Sequence, residues 1–63
     1  MSEFNDGVWW SIETIFSQDD MMSIELIKTS KISRDEAITL AKKSDVFYPK
    51  IIDFFDEFKV WKV

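Results

Sequence analysis

A chain of 63 residues has room for one domain, residues 1–63; at this size a folded monomer exposes about 4,200 Å² and buries roughly 60% of the surface of its unfolded chain. It has no His and no Cys, which excludes the usual neutral-pH general base, the thiol nucleophile and the common structural zinc sites together. Twelve acids oppose eight bases for a net charge of −4, unevenly spread: −6 over residues 1–27 with no Lys or Arg, +3 over 28–50 and −1 over 51–63.

Taken in chain order, Asn5-Asp6-Gly7 reads as a turn or a helix cap. Val8, Trp9, Ile12, Ile15 and Phe16 follow at helical spacing and predict a helix over about 6–17. Ser17-Gln18-Asp19-Asp20 reads as the cap of a second helix over about 19–29, with Met21, Ile24 and Ile27 on its inner face and Met22 and Leu26 on the shoulder. An edge strand over 23–28 competes with it, since Ser23-Ile24-Glu25-Leu26 also alternates. Ser33-Arg34-Asp35-Glu36 has the form of a capping box, in which Ser33 accepts from the Glu36 amide and Glu36 reaches back to Ser33; with Lys42-Lys43 in the last turn it predicts a helix over 34–44. Pro49 suits a first helical position, and Ile51, Ile52, Phe54, Phe55 and Phe58 make the apolar stripe of a fourth helix over about 49–59. Residues 58–63 either extend it or leave it as a strand. The expected fold is all-α, a compact bundle of three to four short helices; one Gly and one Pro are too few turn residues for an all-β chain.

The stretch 23–50 resembles the C-terminal helical segment of the N-acetyl sugar amidotransferases of bacterial surface polysaccharides. Those enzymes end in a similar Ile-Ser-Arg-Glu-Glu-Ala helix, then Lys-Lys-x-Asp and a Phe/Tyr-Pro step. The matching positions are Ile32, Ser33, Arg34, Asp35, Glu36, Ala37, Leu40, Lys42, Lys43, Asp45, Tyr48 and Pro49. The resemblance covers under half of the chain and implies helical geometry for 33–43. It carries no catalytic or binding residue, because the family's Gly-rich ATP loop has no counterpart in a chain whose one glycine is Gly7.

No pattern of catalytic chemistry emerges. One glycine cannot build a phosphate loop, no calcium-loop spacing is present, and the carboxylate pairs Asp19/Asp20, Asp35/Glu36 and Asp53/Asp56/Glu57 read as solvated helix faces. The expectation is a chain that is not an enzyme and takes no cofactor or metal. No apolar run nears the ~18–20 residues that cross a bilayer, the first residues are acidic where a signal peptide is basic, and the absence of Cys suits a reducing cytosol; a cytoplasmic protein without membrane attachment is expected.

The aromatic residues point elsewhere. Trp9 and Trp10 are adjacent and so lie about 100° apart on a helix, too far to share one small core. One of them, or Trp61, is expected at the surface, either wrapping the core edge or anchoring a partner. With the acidic half, this suggests a small protein-binding factor, an inhibitor or regulator of a host complex of the phage or mobile-element kind such as an anti-defence protein, a class-level analogy. It would act by steric block or acidic mimicry of nucleic acid against a basic surface. The candidate contact residues are Trp9, Trp10, Glu13, Asp19, Asp20 and Trp61. The apolar excess of the last helix suggests a homodimer through Ile51, Phe54, Phe55 and Phe58. Two alternatives stand: an accessory domain or small subunit of a larger enzyme assembly, and a weak nucleic-acid binder through the bases of 28–50, which the acidic half opposes.

Overall fold

The computed structural model of the protein describes residues 3–61. Four helices run in chain order: α1 Glu3–Gln18, α2 Asp20–Ser30, α3 Arg34–Ser44 and α4 Lys50–Glu57. There is no strand among the described residues, so the all-α expectation holds and segment 23–28 is helix.

The first helix begins before its expected start. Asn5-Asp6-Gly7 lies inside α1, not in a turn ahead of it. An interior glycine costs a helix roughly 1 kcal/mol, and long-range contacts on the same turn offset it. Asn5 Nδ2 donates to Glu36 Oε2 at 2.7 Å, and Asp6 Oδ2 stands 3.4 Å from Lys43 Nζ. Both partners lie on α3, beyond the reach of any local pattern.

A single residue, Asp19, joins α1 to α2. Its backbone is extended (φ −153°, ψ 91°) and its carboxylate accepts from the Met22 amide at 3.2 Å, capping α2. The two helices then pack on each other more extensively than any other pair. Ser23, Ile24 and Ile27 are the buried residues of α2, whereas Met21 is exposed, contrary to the expected inner face. The buried Ser23 hydroxyl donates to the Asp20 carbonyl at 2.6 Å, so it enters the core without an unmet polar group.

The third helix keeps its expected bounds. Ser33 accepts from the Glu36 amide at 3.2 Å, which is half of the capping box. The other half is replaced: the Glu36 carboxylate goes to Asn5 of α1 instead of returning to Ser33. In α4 Pro49 is the N-cap and not the expected first helical residue, so the helix runs Lys50–Glu57, inside the expected 49–59; the Tyr48–Pro49 peptide is cis.

Residues 58–61 form a turn, neither a strand nor an extension of α4; 62 and 63 lie outside the described residues. Val60 N–H donates to Phe55 O at 3.1 Å and Lys59 N–H to Asp56 O at 3.0 Å, with Lys59 in the left-handed region (φ 55°). This is a Schellman stop, and it folds Val60 and Trp61 back onto the core.

That core is rich in aromatic rings. Phe55, fully buried, meets Trp9, Phe16 and Trp61 edge-on at 6.3, 6.2 and 5.7 Å, and Phe16 also meets Phe47 and Phe54 at 5.3 and 5.5 Å. Ile12, Ile24, Ile27, Ile32, Leu40, Ile51 and Ile52 fill the rest. The accessible surface of 4343 Å² matches what a folded chain of this mass exposes.

Candidate protein-binding surface

Where α1 crosses the end of α3, one residue turns inward and its neighbour outward. Trp9 is buried in the aromatic core, and Trp10, one residue on and a quarter-turn round the helix, is 68% exposed. The side chains around them are fixed by a sealed carboxylate. Glu13 is only 5% exposed, and its Oε2 accepts from Trp9 Nε1 at 3.0 Å and from Ser44 Oγ at 2.6 Å. A buried carboxylate is tolerated when donors meet it. Here the donors come from the same helix one turn earlier and from the last residue of α3, so Glu13 ties the two helices together.

Asp6, Trp9, Trp10, Leu40, Lys43 and Ser44 line an open groove of about 230 Å³ over this junction. The Asp6 carboxylate is asymmetric within it: Oδ2 faces the Lys43 ammonium, while Oδ1 is out of solvent with no hydrogen-bond partner. A buried oxygen without a donor is costly, and it sits beside the one large ring that α1 shows to solvent here.

The other expected contact residues scatter. Asp19 and Asp20 are exposed at the α1–α2 joint, and Asp19 is occupied as a cap. Trp61 is half-buried: its indole N–H donates to Ile32 O at 2.9 Å and its ring meets Phe55. The structure thus brings Trp9, Trp10 and Glu13 together and leaves Asp19, Asp20 and Trp61 out of the groove. Leu40, Lys43 and Ser44 join this surface without a local signal in the sequence, since they lie 30 or more residues beyond Trp10.

Ile51, Phe54, Phe55 and Phe58 do not form a face for a second copy. Ile51 and Phe55 are 0% exposed and Phe54 is half-buried, leaving Phe58 as the exposed member. The apolar excess expected of α4 is absorbed within the chain by rings from α1, the 45–49 loop and the C-terminal turn.

Several bases of 28–50 also have partners. Arg34 Nε and Nη2 donate to both Asp56 oxygens at 2.9 and 2.7 Å, holding the Asp56 carboxyl below its usual range by hydrogen bonding above all, with burial opposing the shift and the Arg34 charge adding a lesser pull. Lys43 faces Asp6, and the Lys42 ammonium lies 5.7 Å from the centre of the Tyr48 ring. Among the described residues no group of three or more acidic side chains could hold a metal ion, and no helix is long and apolar enough to cross a membrane.

No family model, curated protein or solved structure matches the chain.

Proposed function

We propose that the protein is a non-catalytic binding factor that occupies a surface of another protein through the α1 face around Trp10. The observation that carries this reading is the exposure of Trp10 beside side chains fixed by the buried Glu13. A large, rigid ring held at a fixed place buries much area for little lost entropy when a partner covers it. The partner supplies a pocket for the indole.

Steric block by an anchored ring fits the surface better than broad acidic mimicry of nucleic acid. Of the acids in residues 1–27, Glu13 is sealed in the protein, Asp6 faces Lys43 and Asp19 caps a helix, which leaves fewer free carboxylates than the sequence counts. Inhibition or regulation of a host complex, in the manner of small phage-encoded anti-defence proteins, is the biological role that this mode of action suits.

Affinity capture from the producing cell's lysate tests it, run in parallel with the native chain, Trp10→Ala and Asp20→Lys. The reading expects a stoichiometric partner with the native chain, its loss with Trp10→Ala and its retention with Asp20→Lys. A partner held equally well by Trp10→Ala would reject the Trp10 face, and one lost with Asp20→Lys alone would favour acidic mimicry.

A further inference from the structure

The first turn of α1 is held to the molecule differently from the turns that follow it. From Trp9 onward the helix is anchored in the core, with Trp9 and Ile12 buried, whereas Phe4 in the first turn is 75% exposed. Polar contacts fasten that turn to α3. Asn5 Nδ2 donates to Glu36 Oε2 at 2.7 Å, and Asp6 Oδ2 faces Lys43 Nζ at 3.4 Å, between side chains that are substantially exposed. Salt weakens an exposed ion pair and leaves a buried apolar anchor in place. Docking also carries a cost. Asp6 Oδ1 is out of solvent without a hydrogen-bond partner, and it would regain water if the turn swung away.

Gly7 stands where the two kinds of anchoring meet. Its backbone is helical without a positive φ, and a Cβ there would meet nothing within 4 Å. Neither backbone geometry nor close packing calls for glycine at this position. Its effect is to weaken the helix at the boundary between the turn fastened to α3 and the part rooted in the core.

Unwinding up to this point has a definite reach. Each amide of an α-helix bonds to the carbonyl four residues back, so the carbonyls of Glu3 to Asp6 hold the amides of Gly7, Val8, Trp9 and Trp10. Trp10 is the last residue tied to the turn, and Asp6 and Lys43 line the groove beside its ring. Release of the turn therefore takes away a groove wall and loosens the backbone under the exposed indole in one step. We infer that Glu3–Asp6 is a latch hinged at Gly7: closed on α3 through Glu36 and Lys43, it holds the anchor at Trp10 in place, and ionic strength shifts it toward an open form. The consequence for binding rests on the Trp10 reading, since a partner that grips the ring at its fixed place binds the closed form and is weakened by whatever opens the latch.

Amide hydrogen exchange on the free full chain tests this. Val8, Trp9 and Trp10 should exchange through a local opening that low urea does not change, while Ile12 to Phe16 follow urea as parts of the core do. Raising salt to about 0.5 M should lower the protection of Trp9 and Trp10 about twofold, and Lys43→Ala should do the same and leave a smaller salt response. Gly7→Ala, which strengthens the helix at the hinge, should raise their protection about threefold. Protection unchanged by Lys43→Ala, or a salt response of the same size without Lys43, would mean ordinary end fraying and would overturn the latch. So would exchange of Val8 to Trp10 in step with Ile12 to Phe16 across the urea series, because the turn would then open with the whole fold. These rates are read without a partner, so the latch holds or fails independently of the Trp10→Ala capture result.

Discussion

Lys31, Asp45 and Lys59 hold the left-handed backbone conformation, with φ of 65°, 56° and 55°. Each follows a helix at a position that glycine commonly takes, and in a chain with one glycine an L side chain bears the steric cost instead. Lys59 is the clearest case because the Schellman hydrogen bonds fix it there. Replacing Lys59 by Gly should therefore stabilise the protein by about 1 kcal/mol, read from the urea midpoint at constant slope. The converse holds at Gly7, where a Cβ would meet nothing within 4 Å and the backbone is helical. Gly7→Ala should add about 0.5–1 kcal/mol by the same measurement. Glu13 is the residue on which the Trp10 surface depends. Glu13→Ala strands the buried Trp9 indole, breaks the link to Ser44 and opens a void, and should cost about 2–3 kcal/mol in urea unfolding. Glu13→Gln keeps an acceptor and should cost less than Glu13→Ala.

At the level of elements, local chemistry and distant contacts divide the credit for the helices. Helix α3 was legible to the residue because its signals are all internal: Ser33 as cap, acids in the first turn, Lys42 and Lys43 in the last. The start of α1 was not legible, since Asn5-Asp6-Gly7 is turn-prone by itself and becomes helical through Glu36 and Lys43. The end of α4 differs from the sequence expectation for a related reason: Val60 and Trp61 look like a continued apolar run, but a backbone stop turns them onto Phe55 and Ile32. The stretch Ser17-Gln18-Asp19-Asp20 reads as a cap in sequence, and the structure narrows it to Asp19 with α2 starting at Asp20; Asp19→Ala should cost about 1 kcal/mol of stability.

The Arg34–Asp56 pair joins the first turn of α3 to the last turn of α4 and gives these elements a pH signature. Folding lowers the Asp56 pKa, so the pair stabilises above the unfolded carboxyl value of about 4 and loses its contribution as pH falls through the lower folded value. Both groups are substantially exposed, so the effect is modest and weakens with salt. Asp56→Asn should be less stable than the native chain at pH 7, with the gap closing as pH drops below about 4 in paired urea titrations.

For the whole molecule, composition indicated a single helical body and the aromatic count an abundant core, and both follow from burial that a small chain must achieve. Which rings stay outside was not legible, because it depends on how α1 is rotated against α3. Adjacency on a helix makes Trp9 and Trp10 diverge; Trp9 goes in, where its ring meets Phe55 and its N–H meets a Glu13 bonded across 31 positions to Ser44, and Trp10 stays out. The acidic half is likewise thinner as a surface than as a count, since Glu13 is buried and Asp6 and Asp19 are engaged inside the chain. The molecule that results leaves Trp10 exposed on α1, and the proposed function makes that ring its anchor on a partner.

Calorimetric titration of the captured partner with the native chain and with Trp10→Ala puts that claim to the most direct measurement. A ring that anchors the complex should cost about 2 kcal/mol or more of binding free energy when truncated, roughly thirtyfold in Kd, with thermal unfolding of the free variant unchanged. Affinities that agree within about 0.3 kcal/mol would contradict it, and would move the contact face away from Trp10.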